Sequence, residues 1–314
     1  MGKTAFVFPG QGSAAVGMGR DIVAASPAAA AVWAEVSAAV PALPRLCFEG
    51  PLEELVVTAN AQPAIFAVDC ACLAAVREAG CTPDVVAGHS LGEYAALVAA
   101  GALSLADALP MVRARADAMQ AACARPGTML AVTGLADEQV EALVASWDGE
   151  GVLAVANYNS PGQIVVAGDT AAVRAAASRF VEAGARVTEL VVGGAFHSPL
   201  MAPAEALFRP ALDAAPLRDA RLPVVSNTTA RPTTAADDLR AALRTQIVGG
   251  VRWEQSVEAM LALDVDTFVE VGPGRTLSGL VRRTAQKHGL RPRLLNVEDG
   301  PSLAKTLSAL RAEA

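Results

Sequence analysis

The sequence predicts an α/β fold in which a large domain with a parallel sheet is interrupted by a small α+β unit. Three observations carry this expectation. Residues 4–8 form a short β-leaning run that stops at Pro9-Gly10 and gives way to an alanine-rich helical pattern from about Asp21. A second strand pattern at 83–87 runs directly into G-H-S-L-G and another helix. Between 126 and 195 the pattern changes to short strands alternating with amphipathic helices, and afterwards the longer alternation resumes. A chain of 314 residues can hold two such cores. The expected division is a large domain from 1–125 and 196–314, with a small domain at 126–195.

In order, the segment from Gln62 reads as a long buried helix closed by Gly80, and the strand at 83–87 enters the serine turn. Ser104 caps a helix to about Ala124, with Asp107 three residues on as a capping box. The small unit reads strand 129–133, helix 137–146, strands 153–157 and 163–168, helix 170–184 and strand 186–192. That β-α-β-β-α-β order is ferredoxin-like, with Asn159-Ser160-Pro161-Gly162 turning between the middle strands. The large domain then continues with helix 203–214, strand 222–226, helices 237–246 and 253–263, and strand 266–271. Gly272-Pro273-Gly274 leads into a helix ending near His288.

Composition excludes several functions. The formal charge of −7 and the scarcity of lysine argue against phosphate-driven nucleic-acid binding. Asp69 and Asp107 interrupt the longest apolar runs, so no membrane span is expected. The opening apolar run is too short for a signal peptide. Five cysteines without a C-x-x-C pair read as reduced thiols in a cytoplasmic protein, with no metal site.

The chemistry centres on Ser90. A strand entering G-x-S-x-G and leaving as a helix is the α/β-hydrolase arrangement, in which the serine is lifted above the sheet edge at a helix N-terminus. A serine nucleophile needs a base, and the chain has three histidines. His89 shares the serine's own turn and points elsewhere, and His288 lies in a charged helix. His197, in G-G-A-F-H-S-P-L-M at the return from the small unit, is the candidate. An oxyanion needs convergent donors: Leu91 N–H supplies one, and the Gly10-Gln11-Gly12 loop fits the second. That loop also matches the dinucleotide fingerprint G-x-G-x-x-G/A, with Glu35 as the acid. Arg115 falls on the apolar face of its helix with Ala108, Met111, Val112 and Met119. A guanidinium on this face would meet a substrate carboxylate, snorkel toward solvent or pair with an internal acid. Arg113 faces outward, with Asp117 as its expected surface partner.

With these residues assembled, the chain resembles the malonyl-CoA:acyl carrier protein transacylases of fatty-acid synthesis and the acyltransferases of polyketide synthases. The matching blocks span nearly the whole chain: F-P-G-Q-G-S, T-A-N-A-Q-P-A-I-F, G-H-S-L-G-E-Y-A-A-L, Arg115, N-Y-N-S-P-G-Q-I-V-V-A-G, A-F-H-S, S-N-T-T-A-R-P, V-R-W-E-Q-S and E-V-G-P-G. The resemblance implies that Ser90 is acylated and His197 is its base. It implies that the Gln11 and Leu91 amides bind the oxyanion and that Arg115 holds the malonyl carboxylate. A backbone carbonyl at Gln246 would orient the histidine. Ala14 and Gly250 depart from the family's usual glutamine and proline. Leu91 and Phe196 resemble the malonyl-selective pattern of the polyketide branch.

The expected substrate is therefore malonyl-CoA, with no bound cofactor, and the expected partner is the phosphopantetheine thiol of an acyl carrier protein. Arg282, Arg283 and Lys287, within a basic stretch from Arg275 to Arg293, could dock that carrier or form a solvated face. A hydrolase on the same scaffold, a transacylase for another acyl group and a non-catalytic docking module are the rival readings. Nothing in the sequence demands more than a monomer, and fatty-acid and polyketide pathways fit equally.

Overall fold

The computed structural model describes residues 2–311. Its larger sheet has six strands, β1 (Lys3–Phe8), β2 (Val85–Gly88), β7 (Val224–Val225), β8 (Pro232–Thr233), β10 (Val265–Val271) and β11 (Arg293–Val297), in the order β11-β10-β1-β2-β7-β8. All neighbours are parallel except β7 and β8.

Strand alternation explains why both faces must be covered. Phe6, Phe8 and Val86 join the core under helix Thr58–Glu78, whereas Ala5, Val7, Val85 and Ala87 pack against Trp253, Val257, Leu277 and Val281 on the opposite face. Parallel strands buried on both sides leave their C-terminal ends as the open edge, and the loops after β1 and β2 meet there.

The smaller sheet holds β3 (Gly127–Thr133), β4 (Leu153–Ser160), β5 (Gln163–Asp169) and β6 (Arg186–Glu189), with helices Asp137–Ala145 and Thr170–Glu182. Its antiparallel order β6-β3-β5-β4 is the ferredoxin-like one. A fifth strand, β9 (Val251–Arg252), adds to β4 in parallel through Asn157 and Tyr158. It comes from beyond residue 195, so the small sheet is completed by a segment that the sequence reading assigned to the large domain.

Other differences have local causes. The long helix begins at Thr58, one turn before the expected Gln62, because Asn60 and Ala61 N–H already bond Val57 O. Pro63 thus lies inside the helix, where a sequence reading places proline at the start. This helix is long and apolar enough to cross a membrane, yet most of it is buried within the protein. Two elements at the end, β11 and helix Gly300–Arg311, had no counterpart in the sequence reading. β11 is half-buried almost throughout and therefore lacks a strong apolar alternation.

Candidate active site

Ser90 sits where β2 gives way to helix Gly92–Ala99, with its backbone in the left-handed region at φ 53°. The flanking glycines are required by close approach. A Cβ at Gly88 would lie 1.9 Å from Gly92 C, and one at Gly92 would lie 2.1 Å from Phe8 O. The turn is held by Asn227, whose Oδ1 accepts the Ser90 N–H at 2.6 Å and whose Nδ2 donates to Gly88 O at 2.6 Å. A left-handed non-glycine residue costs about 1–3 kcal/mol and persists only where its surroundings fix it.

His197 is also left-handed, at φ 57°, and is buried. Its Nε2 lies 2.8 Å from Ser90 Oγ and its Nδ1 lies 2.8 Å from Gln246 O. A carbonyl can only accept, so Nδ1 carries the proton and Nε2 is left to accept from the serine hydroxyl. Burial first, and then the nearby Arg115 charge, lowers its pKa to about 3. The imidazole is neutral at physiological pH, as a base must be.

Arg115 is 1% exposed and has no carboxylate in contact among the described residues. Its Nη1 donates to Gln62 Oε1 at 2.5 Å, while Nη2 donates to Gln246 Oε1 and to Ser90 Oγ, each at 3.1 Å. Its guanidinium also lies over the Tyr94 ring, 5.4 Å from the centroid. Burial lowers the arginine's pKa, opposed by Tyr94 and Glu93. The internal acid left open by the sequence is therefore absent from the contact shell, and neutral amides aim the cation at Ser90.

The Gln11 loop lies beside this turn. A Cβ at Gly10 would come 2.6 Å from His89 O, and the Gln11 side chain is tied to Thr58 Oγ1 at 3.0 Å. Gln11 opens a single 3-10 turn and Leu91 precedes helix Gly92–Ala99. By position, each main-chain N–H lacks an acceptor within its own turn. Glu35 is exposed within helix Pro27–Ala39, away from any strand end, so the dinucleotide reading loses its acid.

The other histidines are engaged elsewhere: His89 Nε2 with Asn159 Oδ1 at 3.0 Å, and His288 with Glu258 at 2.9 Å. Phe196 is buried beside His197, and Leu91 is buried beside Ser90. Of the basic candidates, Lys287 bridges Glu254 and Glu258, and Arg283 bonds Ser160 and Gln163. Arg282 is exposed. The expected Arg113–Asp117 ion pair is not among those in the described residues. Sequence reasoning gave no role to Gln62, Glu93 or Asn227. Each lies inside a block that resembles the family, but buried amides and acids bonded to sequence-distant partners leave no spacing signature.

The chain is similar to known acyl transferases. The acyl transferase domain family profile matches residues 5–305. Malonyl CoA-acyl carrier protein transacylase of Bacillus subtilis strain 168 is 42% identical, over 100% of this chain and 99% of that protein. The Escherichia coli K12 protein of the same name is 40% identical, over 90% of this chain and 93% of its own. Among solved structures, the malonyl CoA-acyl carrier protein transacylase of Clostridium perfringens superposes with a TM-score of 0.94 at 35% identity, covering 99% of this chain and 98% of that one. A malonyl-transacylase in complex with a type II PKS acyl-carrier protein superposes with a TM-score of 0.93 at 35% identity, covering 98% and 99%.

Proposed function

The chain belongs to the acyl transferase domain family, and from that premise we propose that it transfers malonyl from malonyl-CoA to an acyl carrier protein through an ester on Ser90. The observation that carries this reading is Arg115: a buried guanidinium with no contacting carboxylate, its Nη2 3.1 Å from Ser90 Oγ. A malonyl group esterified to Ser90 would bring its free carboxylate to this cation and supply the bidentate partner it lacks.

In the first half-reaction, Ser90 Oγ attacks the thioester carbonyl while its proton passes to His197 Nε2. The tetrahedral oxyanion is received by the Gln11 and Leu91 amides. Collapse breaks the carbon–sulfur bond, and CoA leaves as the thiol with the proton from His197. In the second, the phosphopantetheine thiol gives its proton to His197 and attacks the ester. Ser90 then leaves with that proton. The Gln246 carbonyl stabilises the imidazolium at each stage by keeping the Nδ1 proton bonded. No bound cofactor enters any step.

Leu91 and Phe196, both buried beside the catalytic pair, set a preference for malonyl over methylmalonyl. One methyl group is worth about 1–3 kcal/mol in such a pocket. For the carrier, all three proposed contacts are exposed, but Arg283 and Lys287 already bond the protein itself, which leaves Arg282 as the favoured contact. Relatives bearing the transacylase name and the PKS complex leave both fatty-acid and polyketide carriers as partners. The cysteines are free thiols, in keeping with a reducing cytoplasm, and nothing in the sequence demands more than a monomer.

Incubation with malonyl-CoA and a holo carrier protein tests the reading, with malonyl-carrier and free malonate measured together. Carrier loading should far exceed hydrolysis. Malonate release that outpaces loading would establish the hydrolase instead.

A further inference from the structure

Glu93 lies in the first turn of the helix that follows Ser90, where a carboxylate is favoured by the helix dipole, and it is 1% exposed. Its Oε2 accepts from Gln246 Nε2 at 2.6 Å and from Asn227 N at 3.3 Å. Both partners reach the catalytic pair. Asn227 holds Ser90 N–H, and Gln246 holds His197 through its main-chain oxygen. The Gln246 side chain also donates to Ser90 O at 2.9 Å and accepts from Arg115 Nη2 at 3.1 Å.

An amide has one donating end and one accepting end, whereas a carboxylate only accepts. With Glu93 ionised, the Gln246 NH2 must face it, and the Gln246 oxygen is left facing Arg115. We propose that Glu93 is a positioning residue: as the charged acceptor beside the Ser90 carbonyl, it strengthens the hold on the polarity of the Gln246 amide and thereby aims the Arg115 guanidinium at the acyl group on Ser90. This inference rests on the reading that Arg115 binds the acyl carboxylate.

The acid is tunable in the working pH range. Burial pushes Glu93 up to about 7, opposed by hydrogen bonds from Gln246, Asn227 and Ser226 and by the Arg115 charge. The groups facing it are Gln246 from helix Ala236–Gln246, Asn227 and Ser226 from the loop after β7, Arg115 from helix Leu105–Ala122, and its helix neighbour Tyr94. Once protonated, the carboxyl can itself donate, so the amide loses its charged acceptor and is held only by the Ser90 carbonyl and Arg115.

The test compares self-acylation by malonyl-CoA and by acetyl-CoA, which lacks the free carboxylate, across pH in the wild type, Glu93→Gln and Glu93→Asp. The wild-type malonyl-to-acetyl ratio should rise as pH increases through about 7. Glu93→Gln should lower the malonyl rate by about 10- to 100-fold, a loss typical of a misaligned binding group, with a smaller loss for acetyl and no pH dependence of the ratio. Glu93→Asp should restore part of the ratio.

Equal loss for both substrates in a folded Glu93→Gln protein would overturn the inference, as would an unchanged ratio. Should that variant fail to fold, the wild-type ratio decides alone, and a ratio independent of pH overturns it. A wild type that forms no acyl-serine would instead remove the functional reading beneath it.

Discussion

Asn227 Oδ1 accepts the Ser90 N–H at 2.6 Å across a sequence separation of 137 residues. This bond, with the one from Asn227 Nδ2 to Gly88 O, clamps both arms of the turn that holds Ser90 at φ 53°. Replacing Asn227 by Ala leaves a buried amide and a buried carbonyl unpaired, a loss of about 1–3 kcal/mol. Asn227→Asp should be no better, because an acceptor would then face Gly88 O and lie near Glu93. Urea denaturation and acylation rates on both variants check this. An Asp variant as stable and active as the wild type would show that the clamp is dispensable.

The glycines of G-H-S-L-G are expected to be intolerant for steric reasons. Gly88→Ala and Gly92→Ala would drive a methyl into backbone atoms that cannot rotate away. Each should cost at least about 1–3 kcal/mol or prevent folding. Gly12→Ala is the control, with nothing within 4 Å of the added atom, and should change stability by less than about 0.5 kcal/mol. Denaturation midpoints compare the three directly.

His197 makes stability depend on pH. An unfolded imidazole binds its proton near the ordinary value of 6.5, whereas the folded one is lowered to about 3. Between these values the unfolded chain holds more protons, so stability falls as pH drops through the window. At about pH 5 this one group should cost about 2 kcal/mol relative to neutral pH. Urea unfolding of wild type and His197→Gln at both pH values should show a smaller pH effect in the variant. Equal effects would contradict the burial cause.

Asp69 should act in the opposite sense. Both its oxygens are buried without a partner, and Oδ1 sits 2.0 Å from where a Gly272 side chain would begin. Burial first, and then Glu270, holds its carboxyl well above the ordinary range. The folded state thus binds this proton more tightly, and its contribution is full at low pH and lost as pH rises toward the folded value. Asp69→Asn should flatten that decline in thermal unfolding measured from acid to neutral pH. An unchanged slope would count against a strained carboxyl at this position.

What the sequence revealed follows what side-chain type can encode. Ser90 and the parallel sheet were readable because a strand, a glycine-framed turn and a helix succeed one another within a few residues. Arg115 was readable because a charge on an apolar helix face breaks a 3.6-residue pattern. Gln246 acts on His197 through its main-chain oxygen, which no side-chain pattern marks, so only the family resemblance pointed to it. Asn227 and Glu93 bond backbone and amides across long separations, and β9 has just two residues. Such features arise from tertiary packing and have no local period.

The central claim is that Ser90 carries the acyl group between two thiols. Intact-mass measurement after incubation with malonyl-CoA, without a carrier, tests it most directly. The wild type should gain one malonyl group. His197→Ala should gain it roughly a hundred- to ten-thousandfold more slowly, and Ser90→Ala should gain none. A malonyl adduct that persists in Ser90→Ala would contradict the account.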